Sequence, residues 1–72
     1  MSYRVKIHLK ELLEERDITQ KRLAEMTGLR ANAISDIARG TKTAINFNHL
    51  AKIATALNIA DIRKIIDLEE TN

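Results

Sequence analysis

Apolar residues recur along this 72-residue chain at helical spacing in successive blocks, with short polar breaks between them. Leu9, Leu12, Leu13 and Arg16 stand at i, i+3, i+4 and i+7. That spacing predicts a first helix over about residues 8–16, which buries its leucines and exposes Lys10, Glu11, Glu14 and Glu15. Asp17 marks a break. Thr19 is placed to cap a second helix through its hydroxyl, and Ile18 lies five residues before Leu23, the spacing of a hydrophobic staple. This helix is expected to end near Met26, with Gly28 free to turn left-handed beyond it. The staple spacing returns at Leu29 with Ile34 and at Ile45 with Leu50, marking two more helix starts. The third helix is expected from about Ala31 to Arg39, stopping at Gly40. The fourth, capped by Asn46, should run from Phe47 to Leu57 with Phe47, Leu50, Ala51, Ala54 and Leu57 on its apolar side, and Asn58 turning left-handed after it. Asp61 suits a helix start, and Ile62, Ile65 and Ile66 form a stripe, so a fifth helix is placed at about 61–67.

The first residues follow another period. Tyr3, Val5 and Ile7 alternate with Arg4, Lys6 and His8, the pattern of a strand. No partner within the chain is evident, and an isolated strand is not stable. Residues 1–7 therefore either lie over the helices as an extended arm, the preferred reading, or pair with their twin in a dimer.

Composition narrows the class. A chain of this length is a single domain, residues 1–72, and buries only about 60% of the surface its unfolded form exposes. It has no cysteine, and its two histidines, His8 and His49, are far apart, so disulfides and thiolate metal sites are excluded and no cofactor is implied. No proline, two glycines and two aromatic residues favour helix over sheet, and the expectation is an all-α, compact five-helix bundle. No apolar run approaches the roughly 20 residues of a membrane span, so a soluble, cytoplasmic protein is expected. The net charge of +2 is uninformative, but its distribution is not. Residues 20–43 hold Lys21, Arg22, Arg30, Arg39 and Lys42 against Glu25 and Asp36, while carboxylates gather in the first helix and at the C-terminal end.

Two short helices joined by a glycine-containing turn form a helix-turn-helix unit, here about residues 19–39, whose second helix is suited to the DNA major groove. The stretch "TQKRLAEMTGLRANAISDIARG" supplies it. Its features are Thr19-Gln20, Leu23-Ala24, Thr27-Gly28-Leu29, Ile34-Ser35 and Arg39-Gly40, followed by "LAKIATALNI" at 50–59. In these residues the chain from about Leu9 to Ile66 resembles the phage repressor and Cro family of small bacterial helix-turn-helix regulators, with the lambda-repressor-like fold.

The resemblance implies roles residue by residue. Gln20 falls where the family grips a DNA phosphate from the start of its second helix, and the positive end of a helix plus an amide donor suits an anion. Base edges fall to Arg30, Ala31, Asn32, Ala33, Ser35 and Asp36, and the sugar-phosphate backbone to Arg39 and Lys42. Lys21, Arg22 and Thr41 either touch phosphates or face solvent. Asn32 is chemically suited to adenine. Arg30 stands at an N-cap, where Ser or Thr would stabilise the helix by roughly 1 kcal/mol, so it breaks a local rule and points to guanine or phosphate. Ser35 reaches base, phosphate or water; Ala31 and Ala33 suit a thymine methyl or simply favour helix. Asp36 either accepts from a cytosine amino group, orients Arg39 or Lys42, or lies off the interface. Where many members bury an Arg–Glu pair, this chain has Leu13 and Ala38, a paired loss that leaves no buried charge alone.

The leading expectation is a sequence-specific double-stranded DNA-binding regulator, a repressor acting as a homodimer on a two-fold symmetric operator. Ile59, Ile62, Ile65, Ile66 and Leu68, joined by Tyr3, Val5 and Ile7, either offer apolar surface for dimerisation or simply cap the core. The competing class is a protein-interaction module or antitoxin-like partner protein with the same fold. No small-molecule ligand is implied. No nucleophile, clustered His–carboxylate motif or glycine-rich phosphate loop points to an enzyme.

Overall fold

A computed structural model describes residues 1–41 and 43–71. The chain runs through strand β1 (Ser2–Ile7), helices α1 (Leu9–Glu15), α2 (Gln20–Thr27), α3 (Ala31–Arg39) and α4 (Phe47–Leu57), a single 3-10 turn at Ile62–Lys64, and strand β2 (Ile66–Thr71). None of the helices is long and apolar enough to cross a membrane.

The four helices form where the apolar spacing places them, and their ends are closed by the expected devices. Thr19 accepts a hydrogen bond from the Arg22 amide at 3.0 Å. Asn46 accepts from the amides of Asn48 at 2.8 Å and His49 at 3.4 Å. Gly28, Gly40 and Asn58 take left-handed conformations after α2, α3 and α4, with φ of 74°, 65° and 54°. Asp17, also left-handed at φ 57°, breaks the chain after α1. Inside lie Leu9, Leu12, Leu13, Leu23, Ile34, Ile37, Leu50, Ile53, Leu57 and Ile65. Leu13 is buried and Ala38 packs against this core, so the apolar substitute for a buried ion pair is complete. Arg16 is turned to the end of α4, where its guanidinium donates to the Leu57 carbonyl.

The expected all-α five-helix bundle is not formed. Residues 61–67 do not make a fifth helix: the stripe Ile62, Ile65, Ile66 is served by one 3-10 turn, capped by Asp61 on the Arg63 amide, before the chain becomes extended. Residues 2–7 are not an extended arm laid over the helices. They form an antiparallel pair with β2, in the register Ile7 to Ile66, Val5 to Leu68 and Tyr3 to Glu70. Alternation explains the change. From Ile66 the chain reads Ile-Asp-Leu-Glu, the same period of two as β1. In the observed register Arg4 faces Glu69 and Lys6 faces Asp67, so opposite charges meet on one face, while the other pairs Ile7 with Ile66 and Val5 with Leu68 before Tyr3 meets Glu70. The His8 amide, bonded to the Ile65 carbonyl at 2.7 Å, ties the base of this ribbon to the helices.

A smaller correction concerns α4. Its buried side is Leu50, Ile53 and Leu57, whereas Phe47 is 81% exposed and Ala51 faces solvent. Phe47 begins the helix one turn before Leu50, beyond the edge of the core.

Candidate nucleic-acid interface

The turn between α2 and α3 is built from local chemistry. Gly28 ends α2 in the left-handed region, and a Cβ there would meet nothing within 4 Å, so the demand for glycine is conformational alone. The Thr27 hydroxyl donates to the Leu23 carbonyl at 2.8 Å and accepts from the Leu29 amide at 3.2 Å, closing the turn. Arg30 then stands at the N-cap of α3 with extended backbone (φ −70°, ψ 146°) and gives no side-chain cap. A residue that does nothing for its own helix end has its guanidinium free for another use.

On α3, Ile34 and Ile37 point into the core and fix the rotation of the helix. Its opposite side carries Asn32 and Arg39, exposed, with Ser35 and Asp36 half-buried beside them. Ala31 is exposed and Ala33 half-buried at the first turn. Of the six residues expected at base edges, Asn32, Ser35 and Asp36 lie on this side, Arg30 precedes the helix as its N-cap, and Ala31 and Ala33 flank it, Ala33 lining a groove with Val5, Ile7 and Asp36. The Arg39 guanidinium donates to the Asp36 carboxylate at 2.7 Å, so the pairing with Arg39, one of the readings open for Asp36, is present.

Gln20 opens α2, half-buried, and Lys21 beside it is exposed. At the helix start the first amides have no carbonyl one turn back to bond, and they add their positive ends to those two side chains. Thr41 is exposed just past Gly40. Lys42, expected to hold the backbone, lies outside the described residues. Gly40 is constrained twice, by φ of 65° and by the Ile7 side chain, whose Cγ1 lies 3.4 Å from where a Cβ would stand. The end of α3 therefore rests against the end of β1.

The expected dimer residues divide. Ile65 is 1% exposed and belongs to the core, and Ile59 packs against it, half-buried. Ile66 is half-buried at the foot of the ribbon, while Ile62 and Leu68 are 58% and 64% exposed. Tyr3 and Val5, on the same side of the ribbon as Leu68, are also exposed.

Three cations escaped the sequence reading. Arg4, Lys6 and Lys10 line a groove of about 700 Å³ that also includes Gln20 and Arg39. The signal was present: Arg4 and Lys6 alternate with apolar residues and so share one face of a strand. It became meaningful only once that strand was placed beside α2 and α3.

Comparisons with curated proteins and with solved structures return no match. A match to the Cro/C1-type HTH DNA-binding domain covers residues 8–70, which take in all four helices and most of β2. With the turn at Gly28, the capped α2 and the outward polar side of α3, this chain belongs to the Cro/C1-type helix-turn-helix DNA-binding family.

Proposed function

We propose that the protein is a sequence-specific regulator of transcription, a repressor that binds double-stranded DNA as a homodimer on a two-fold symmetric operator. The observation that carries this reading is the outer side of α3. A short helix locked by Ile34 and Ile37 presents Asn32, Ser35, Asp36 and Arg39 together, with Arg30 at its leading end. Placed in the major groove, Arg30 and Asn32 meet guanine and adenine edges, Ala31 and Ala33 lie near thymine methyls, and Ser35 and Asp36 follow deeper along the helix. Gln20, Lys21, Arg39, Thr41 and Lys42 hold the sugar-phosphate backbone and set the register. The Asp36–Arg39 pair supports that division, because it neutralises a carboxylate near phosphates and holds the Arg39 side chain in place.

Two copies bring two α3 helices to one face of the duplex when the half-sites are about one helical turn, roughly 34 Å, apart. The exposed apolar residues Tyr3, Val5, Leu68 and Ile62 favour association. Repression follows from occupancy, since a dimer across two half-sites blocks the DNA it covers.

Selection from a randomised duplex pool tests both parts. Enrichment of inverted repeats, with half-site centres about ten base pairs apart, is the expected result. Enrichment of single half-sites refutes the dimer, and failure to enrich any sequence refutes specific DNA binding in favour of a protein-interaction module.

A further inference from the structure

We infer that the bound DNA backbone continues past the helix-turn-helix into the groove walled by β1 and α1, where Arg4, Lys6 and Lys10 hold phosphates. This rests on the DNA-binding reading above and extends its footprint to a strand that reads no bases.

The groove is open and about 700 Å³ in volume. Its charged lining is Arg4, Lys6, Lys10 and Arg39 against one carboxylate, Glu11, with the Gln20 amide beside them. Gln20 and Arg39 are two of the residues that the proposed function assigns to phosphates, one at each end of the unit. Sharing one groove with them makes the β1 cations a continuation of the same surface.

The ribbon orients this charge. β1 carries Arg4 and Lys6 into the groove lining, whereas Glu69 and Asp67, which face them across the ladder on the same side of the ribbon, do not line it. Residues two apart on a strand stand about 6.6 Å apart. That separation lets Arg4 and Lys6 engage separate phosphates rather than compete for one. Arg4 is bonded to Glu69 at 3.0 Å, but the two side chains are 64% and 45% exposed. An exposed pair of this kind is weakly held in water and exchanges readily for a phosphate. Glu69 then serves to hold Arg4 extended when DNA is absent. Val5 and Ile7, from the apolar side of the ribbon, border the groove as well, whereas the exposed Tyr3 and Leu68 do not line it.

Counterion release gives the test its scale, because each phosphate neutralised contributes about −0.9 to the slope of log affinity against log salt on B-DNA. The double variant Lys6→Gln, Lys10→Gln is titrated over a range of salt on the duplex enriched from the random pool, beside wild type and Gln20→Ala. The expected result is a slope shallower by about 1.8, with the same preferred sequence. Phosphate-ethylation interference should lose contacts on the flank of the site while keeping those that depend on Gln20. The variant Lys6→Arg, Lys10→Arg should restore the wild-type slope, which separates charge from any effect on folding. An unchanged slope in the glutamine variant, with Gln20→Ala weakened, overturns this inference and leaves the DNA reading standing. An altered base preference in the glutamine variant also overturns it. Wild-type protein that binds no duplex removes both.

Discussion

Between Thr19 and Gly40 the chain is anchored by Leu23, Ile34 and Ile37 in the core, and its helix ends are closed by Thr19, Gly28 and Gly40. The ribbon of β1 and β2 has no such anchor. Its foot, Ile7 and Ile66, is half-buried, but beyond it Val5, Tyr3 and Leu68 are 60%, 61% and 64% exposed. The helix-turn-helix is rigid because burial fixes the rotation of α3 to the precision that base reading needs. Beyond the Ile7 foot that packs against the core, the ribbon is held by pairing, and a two-stranded ribbon is marginal in water unless something covers one face. The contrast divides the molecule by task. On the proposed function, specificity sits on the packed part, while contacts that need charge or apolar area rather than precision sit on the less buried ribbon.

Removing core from each region breaks the comparison most directly. Ile34→Ala deletes a fully buried side chain at the centre of α3 and is expected to cost about 3 kcal/mol. At about 4–8 °C per kcal/mol for a domain of this size, the unfolding midpoint should fall by at least about 12 °C. Leu68→Ala, at a concentration where sedimentation shows monomer, should change stability by less than about 0.5 kcal/mol. Comparable losses in the two variants would show that the ribbon is part of the core after all.

The second contrast is in binding. Asn32→Ala should lose about 1–3 kcal/mol on the selected operator and relax preference at one base pair. Gln20→Ala should weaken all duplexes alike. An unchanged selection profile for Asn32→Ala, or a changed one for Gln20→Ala, refutes the assigned role.

Legibility followed the same boundary. Four helices and the turn were readable because their signals lie within a few residues of each other: Thr19 three before Arg22, Gly28 just past Thr27, Asn46 before Phe47. The outer residues of α3 followed from the same local pattern plus a family resemblance. The ribbon was not readable as such, because its strands pair at the two ends of the chain; Ser2 and Thr71 meet although 69 residues apart. The β1 alternation was seen but had no partner, since Ile62, Ile65 and Ile66 fit a helical stripe over a span too short to separate the two periods. The missed cations share that cause. Arg4 and Lys6 became part of a groove only when β2 fixed the strand beside α3.

The two glycines sharpen the junction between the regions. Gly28→Ala meets only the penalty of a left-handed residue, about 1 kcal/mol. Gly40→Ala meets that penalty and also crowds Ile7, the last residue of β1. Urea unfolding should show the larger loss for Gly40→Ala, with the β1 signals displaced in its spectrum. Equal losses, with β1 unmoved, would mean that ribbon and recognition helix are mechanically independent.

The smallest effect belongs to the ribbon alone. The Arg4 guanidinium, bonded to Glu69 and reinforced by its charge, holds the Glu69 carboxyl below the ordinary value of 4.5. A carboxyl whose folded pKa lies below its unfolded one contributes stability above the unfolded value and loses it as the pH falls through the folded one. Acidification below about pH 4.5 should therefore remove the Arg4–Glu69 contribution and loosen the ribbon, while the helices keep the burial of Leu23 and Ile34, which protonation does not touch. In a carbon-detected NMR titration, Glu69 should titrate below 4.5 and return towards that value in Arg4→Gln, while the Val5 and Leu68 methyl signals shift with it. Helix signals that move together with the ribbon over the same pH range would show that the two regions unfold as one unit, and the division of labour argued from their packing would fail.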